Sequence, residues 1–303
     1  MREDDVIELI KKRLKNSRRD VIIGPGDDTA VLRYDKKHYL LLTTDCVVEN
    51  IHFKRPSASF FQIGRKAMAV NLSDIASMGG LPLYALVSAG LPAGLPVKAI
   101  KQLVDGMQSM ADAYNFDIVG GNLSRSPVLF IDVSLAGRVE KKHLKLRSGA
   151  KPGDAVFVTG KLGGTLAGKH LNIMPRIKES RKIIRKVRVN AMMDISDGLS
   201  SDLTRLVNAS GAGFKIFLDR IPVSADAVRM SRTVKDAIHH ALNDGEDYEL
   251  LFTVPAAYKN KVPERAGSLH VTCIGEITKE KKYTGVYNTG KIVSIRPSGY
   301  SHF

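Results

Sequence analysis

The stretch "NAMMDISDGLSSDL", residues 190–203, sets Asp194, Asp197 and Asp202 among apolar Met192, Met193, Ile195, Leu199 and Leu203. A short apolar run, a glycine turn and then helical spacing predict a buried strand ending in "MMDISDG" and a helix from about Ser200. A strand feeding a helix in this way belongs to an α/β protein. Burying an unpaired carboxylate is costly, so the acids of this turn need something to face. Asp197 or Ser200 could cap the helix, but three acids exceed what one cap needs.

Working outward, "LRSGAKPGDAVFVTG" is a charged Gly- and Pro-containing connection that leads into a strongly apolar strand, and it marks a change of unit near residue 145. Ahead of it, "TAVLRY" and "HYLLLTTDCVV" flank the turn-like "DKKH" and predict a β-hairpin. "FQIGRKAMAVNLSDIASMGG" and "PVKAIKQLVDGMQSMADAYN" predict helices, and "LYALVSAGLP", "DIVGGN" and "VLFIDVSLAGRV" predict strands. Beyond residue 203, "YELLFTV" and "VTCIGEI" read as further strands. The expected architecture is α/β (α+β) in two units, residues 1–145 and 146–303.

A 44% hydrophobic and 25% charged composition describes a globular chain, and no apolar run reaches the roughly 20 residues of a membrane-spanning helix. The N-terminal "MREDDVIELIKKRLKNSRRD" is an amphipathic charged helix, not a secretory leader. Two distant cysteines, Cys46 and Cys273, form neither a disulfide scaffold nor a CxxC metal site, so a reducing cytoplasm is the expected setting. An excess of 46 basic over 31 acidic residues gives +15 and favours anionic partners such as nucleotide phosphates. The dense basic run at residues 176–188 reads as a solvated helix face. No aromatic motif interleaves with it, so nucleic acid is not expected, although net charge does not exclude it.

Acids and hydroxyls recur at element ends. Asp27 and Asp28 sit in "GPGDDTAVL" before a strand; Thr43, Thr44 and Asp45 lie in "YLLLTTD"; Asn71 and Asp74 are three apart on one helix. Each group alone has an ordinary reading as a cap or a turn. Together, in a strongly basic chain, they point to cations held by oxygen ligands, which suits Mg²⁺ or Mn²⁺ carrying nucleotide phosphates. Neither GxxxxGK[ST] nor GxGxxG occurs after a strand, and "VGGN" (119–122) is the glycine turn whose backbone could cradle phosphate.

The ordered motifs "GPGDDTAVL", "TTDCVVENIHF", "AVNLSDIASMGGLP", "IVGGNLSRS", "RSGAKPGDAVFVTG", "DISDGLSSDL", "NDGEDYELLFTV" and "GYSHF" run from residue 24 to 303. In that order they resemble the thiamine-monophosphate kinase family of the aminoimidazole-ribonucleotide-synthetase-like superfamily. The resemblance implies an N-terminal ATP- and Mg²⁺-binding unit that dimerises through its sheet, and a C-terminal α/β unit. It implies phosphoryl transfer from ATP to thiamine monophosphate across a cleft holding several Mg²⁺ ions. Carried onto this sequence, the metal ligands are Asp28, Thr43, Thr44, Asp45, Asp74, Asp194 and Asp197, with Asp45, Asp74 and Asp194 as the catalytic set. Gly120, Gly121, Arg147 and Ser196 would contact ATP; His52, Glu246 and Phe303 would contact the acceptor. Asn122 stands where the family usually has Asp, so that ligand keeps an oxygen and loses a charge. The segment between "TGKLGGTLAG" and "NAMMDISDG" is also short and basic for the family. Competing branches are the aminoimidazole ribonucleotide synthetase, against which "GEDYELLF" and "GYSHF" argue, and a non-catalytic nucleotide- or nucleic-acid-binding relative. No Cys precedes Cys46 and the chain ends in Phe303, which argues against the selenophosphate and hydrogenase-maturation branches.

Overall fold

The computed structural model describes residues 3–14 and 18–300. Its first half contains α1 (Glu3–Arg13), β1 (Val21–Ile23), β2 (Ala30–Arg33), β3 (His38–Val48), α2 (Phe60–Ser77), β4 (Leu81–Leu91), α3 (Val97–Tyr114), β5 (Asp117–Arg125) and β6 (Phe130–Glu140). Among the described residues these strands form a six-stranded sheet in the order β1-β2-β3-β6-β4-β5. Each pairing is antiparallel except β4 with β5.

Burial alternates along β6: Ile131, Val133, Leu135 and Val139 are buried, while Ser134 and Arg138 between them are exposed. The buried face meets α2, and α3 packs behind it. Gly64 and Gly106 permit that helix crossing. A Cβ on Gly64 would lie 2.1 Å from the Leu103 carbonyl oxygen, and one on Gly106 2.1 Å from that of Phe61. The opposite face of the sheet is bare, with Leu42, Tyr84, Leu86 and Val119 all exposed.

The second half contains β7 (Ala155–Thr159), α4 (Ile177–Lys186), β8 (Ala191–Asp194), α5 (Leu199–Ala209), β9 (Gly213–Phe217), α6 (Ala225–Met230), α7 (Val234–Asn243), β10 (Leu250–Val254), β11 (Arg265–Ala266), β12 (Leu269–Thr278), β13 (Tyr283–Val286) and β14 (Ile292–Ser294). Its sheet runs β14-β13-β9-β12-β7-β10-β8, with β11 beside β12. Every residue of β7, β8 and β10 is buried. Phe157, Met192 and Phe252 face one core, which α4 also lines. Val158, Met193 and Leu251 face another, filled from α5 and α7. Burial on both faces is why these strands read as continuous apolar runs.

The expected mixed α/β class and the elements read from local patterning are present, with small shifts of boundary. The basic run became α4: Ile177, Ile183 and Ile184 are buried, and Lys178, Lys182, Arg185 and Lys186 are exposed. The helix α2 is buried nearly all round and sits between the two halves, touching α3 and β6 on one side and α4 and β8 on the other. It therefore positions the site.

Candidate active site

Helix α2 begins at a capping box: Ser59 accepts from the Gln62 N–H, and Gln62 reaches back to the Ser59 N–H. Its interior then buries polar side chains that a core helix would not need. Asn71 is fully buried; its Oδ1 accepts the Asp45 N–H at 3.0 Å, which fixes the outer part of β3. Ser73 donates to Asp194 Oδ2 at 2.5 Å, and Thr43 donates to Asp74 Oδ2 at 2.5 Å. One helix thus holds the acid of β8 through Ser73 and the hydroxyl of β3 through Asp74.

Carboxylate oxygens of Asp28, Asp74 and Asp194 lie within 4.8 Å of one another. Asp28 Oδ2 is buried and has no hydrogen-bond partner among the described residues. Its other oxygen accepts from Arg147 Nε at 2.6 Å. An all-oxygen set with one orphaned carboxylate oxygen fits a hard divalent cation. The electrostatics agree. Burial, then the neighbouring Asp45, Asp194 and Asp28, raise Asp74 well above the usual carboxylate range. Burial and Asp28 do the same to Asp194. Enclosure in the cleft, with the charges of Asp197, Asp132 and Asp28, lifts Asp45 to about 6 against a hydrogen bond with Asp74. A cation among them would remove that penalty.

At the turn after β8, Asp202 is fully buried and its Oδ2 accepts the Asp197 N–H at 3.0 Å. Burial and Asp197 push Asp202 up to about 7. Arg205, one turn further along α5, bonds both Asp197 and Asp202. Neither Asp197 nor Ser200 caps this helix: the N-cap is Gly198, which makes no side-chain cap bond. Asp202 braces the turn, which leaves Asp197 half-buried at the mouth.

These groups share a cleft of about 740 Å³, which Asp28, Thr43, Thr44, Asp45, Asp74 and Asp194 line at one end. Arg147, Ser196, Asp197, His52 and Glu246 also line it. His52 Nδ1 accepts the Val48 N–H at 3.0 Å, which puts the ring proton on Nε2. Thr44 is oriented away from the acid triad, donating to Asp132 Oδ1 at 3.0 Å on the bare side of the sheet.

Three residues singled out in the sequence lie elsewhere. Gly120, Gly121 and Asn122 are exposed on the edge strand β5, outside the cleft lining. Asn122 pairs with Ser88, Ser88 with Asp132, and Asp132 with Cys46. Three strand spacings, about 14 Å, thus separate Asn122 from the cleft-lining Cys46 of β3. The paired glycines have a structural cause of their own: Gly120 has φ +155°, and a Cβ on Gly121 would lie 1.8 Å from the Val87 carbonyl oxygen. Phe303 lies outside the described residues.

Sequence reasoning missed Lys66, Arg205, Leu166, His170 and Tyr300. The i,i+3 pair Asp202–Arg205 was a visible signal for one of them. Tyr300 belongs to the same terminal motif as Phe303; its N–H donates to the Asp197 carbonyl at 3.0 Å, and the residue lines the cleft. Leu166 comes from "TGKLGGTLAG" and His170 from the short basic segment that follows it, and both line the cleft. No local pattern marks a lone Leu on a short turn.

The chain matches the AIR synthase related protein N-terminal domain over residues 26–139 and the corresponding C-terminal domain over residues 158–288. The molecule is therefore a two-unit AIR-synthase-related α/β protein. The thiamine-monophosphate kinase of Aquifex aeolicus is 37% identical, with 99% of this chain and 98% of that protein covered. That of Escherichia coli K12 is 34% identical over 96% of this chain and 95% of its own length. The solved structure of AaThiL complexed with AMPPCP and TMP superposes with a TM-score of 0.86 at 35% identity, covering 100% of this chain and 97% of that one. This chain belongs to the thiamine-monophosphate kinase family. Among the described residues, no helix is long and apolar enough to cross a membrane.

Proposed function

We propose that the protein transfers the γ-phosphoryl group of ATP to thiamine monophosphate, giving thiamine diphosphate and ADP in a cytoplasmic setting. The observation that carries this reading is the triad Asp28, Asp74 and Asp194, gathered within 4.8 Å at one end of the cleft that His52 and Glu246 also line. The same activity is named for relatives at 34–37% identity over nearly the whole chain.

The acceptor is a phosphate oxygen already ionised at pH 7, so no general base is required. The obstacle is bringing two polyanions together: each pair of unit charges 4 Å apart costs about 4 kcal/mol at an effective dielectric of 20. Mg²⁺ held by Asp28, Asp74 and Asp194, with Thr43, Asp45 and Asp197 beside them, would supply positive charge against the phosphates and the transition state. Arg147 adds a cation to the cleft. Burial opposes its charge, but Asp28 outweighs that and holds it protonated. Ser196 and Arg205 stand at the same mouth. His52 presents Nε2–H as a donor, and Glu246 presents a carboxylate, to the acceptor.

The bare face of the first sheet supports a homodimer. A second copy docked there would bring its β5, with Gly120, Gly121 and Asn122, toward the Thr44 and Cys46 rim. Their assignment to ATP and metal then requires the pair. Residues 1–145 would form the ATP- and metal-binding, dimerising half and residues 146–303 the second half. The long connection between β6 and β7 supports that division.

The test is phosphorus NMR of the protein with ATP, Mg²⁺ and thiamine monophosphate. Metal-dependent thiamine diphosphate with equimolar ADP is the expected outcome. Folded, ATP-binding protein that forms no such product would overturn the reading.

A further inference from the structure

Lys66 is among the largest fully buried side chains of the described residues, with only 1% of it exposed, and the mechanism above does not use it. It lies on α2, two turns before Ser73 and Asp74. Its Nζ donates to Glu246 Oε1 and, at 2.7 Å, to the His52 carbonyl oxygen. These are the two described residues assigned to the acceptor, and a single buried ammonium holds both. They come from opposite halves of the molecule: His52 from the turn after β3, and Glu246, 180 positions from Lys66 along the chain, from the loop before β10.

A structural role alone does not account for a lysine here. Burying an ion pair seldom stabilises more than apolar side chains of the same volume, and a methionine would span the same distance. What the lysine adds is direction. Glu246 and Tyr248 have φ of +54° and +50°, a left-handed conformation that non-glycine residues adopt at a cost. The backbone of this loop is pinned to the acidic turn: the Glu246 N–H donates to the Ser196 carbonyl at 2.6 Å, and the Tyr248 N–H to that of Ile195 at 2.8 Å. Lys66 fixes the side-chain end of the same loop. On the other side, the His52 ring is set by its bond to the Val48 N–H, and its carbonyl by Lys66. The acceptor wall is thereby referenced to the helix that carries Asp74.

We propose that Lys66 is a positioning residue for acceptor recognition, fixing Glu246 and the His52 turn relative to the acid cluster; this rests on the function proposed above. Lys66→Met, Glu246→Gln and the double variant are compared with the wild-type chain in product formation, each substrate being varied in turn. Lys66→Met is expected to raise KM for thiamine monophosphate at least about tenfold while KM for ATP stays within about twofold. Added to Glu246→Gln, it should cost less than a further twofold, because the two side chains act as a unit. An equal rise in both KM values, or full additivity, would overturn the proposal, since a purely structural lysine would act in that way. Where Lys66→Met fails to fold, Lys66→Gln, which keeps a polar group and removes the charge, carries the same expectation. Calorimetric binding of thiamine monophosphate separates the two readings. A wild-type chain that binds it without turnover refutes the kinase reaction, and Lys66 is then judged by whether Lys66→Met weakens that binding tenfold or leaves it unchanged. A wild-type chain that does not bind it refutes both.

Discussion

The two sheets of this molecule are built from similar strands and used differently. In the second, β7, β8 and β10 are buried on both faces, and Phe157 stacks on Phe252 with ring centroids 5.4 Å apart. In the first, α2 and α3 cover one face while Leu42, Tyr84 and Leu86 leave the other open. The closed sheet spends its side chains on stability. The half-open one directs Thr43 and Asp45 into the cleft on its covered side, and its bare side is the face on which the proposed second copy would dock.

The strongest test of that contrast is packing. Phe252→Ala should cost about 3–5 kcal/mol, read from denaturant unfolding. Leu42→Ala on the bare face should cost under about 0.5 kcal/mol at protein concentrations that keep the chain monomeric. Similar losses at the two positions would erase the distinction.

Next in size is Asp74→Asn. On the covered side of the first sheet, turnover should fall about 10²–10³-fold, equivalent to about 3–4 kcal/mol of barrier. Stability should be unchanged or raised, because one of several mutually repelling buried acids is gone. A melting temperature that drops together with activity would make Asp74 a packing residue instead.

A smaller change is expected on the open face. Leu86→Lys should weaken self-association at least about tenfold, or about 1.4 kcal/mol, by sedimentation equilibrium. It should lower activity in proportion to the monomer formed. An unaltered dimer would place the interface elsewhere.

The smallest effect concerns pH. Burial and neighbouring acids raise the cluster residues Asp74 and Asp194 well above the usual value of 3.8, and likewise lift Asp27 and Asp202 to about 7. The folded state therefore retains protons that the unfolded chain has released, and metal-free stability falls as pH rises from about 4 to 7. A bound divalent cation opposes this. The gain in melting temperature from Mg²⁺ should exceed by a few degrees at about pH 8 its value at about pH 5.5, in scanning calorimetry. A gain independent of pH would argue that the cation does not sit among these acids.

Much of the site was legible because its motifs are local. Apolar residues followed by acids at a strand end, as in "MMDISDG" and "YLLLTTD", signal carboxylates that must face something other than solvent. Spacing along one element likewise gave the hairpin of β2 and β3, the helices α2 and α3, and the solvated basic face of α4. These properties follow from the period of a strand or a helix, and the sequence carries them whatever the rest of the chain does.

Distance across the fold was not legible. Asp28, Asp74 and Asp194 come within 4.8 Å because α2 is clamped between the two halves, a fact of global packing that no window of residues contains. The partnership of Lys66 with Glu246 was hidden for the same reason, and a lone lysine in an apolar helix reads as a surface residue until its neighbours are known. Gly120, Gly121 and Asn122 show the converse. Their motif is plain in the sequence, but β5 lies at the sheet edge, three strands from the cleft, and strand order rather than residue type decides what they can touch. The chain's chemistry was thus set by residue types and local spacing. Which acids gather at one point, which loop a buried ammonium holds, and which face stays open depend on contacts between distant segments, and only the folded arrangement fixes those.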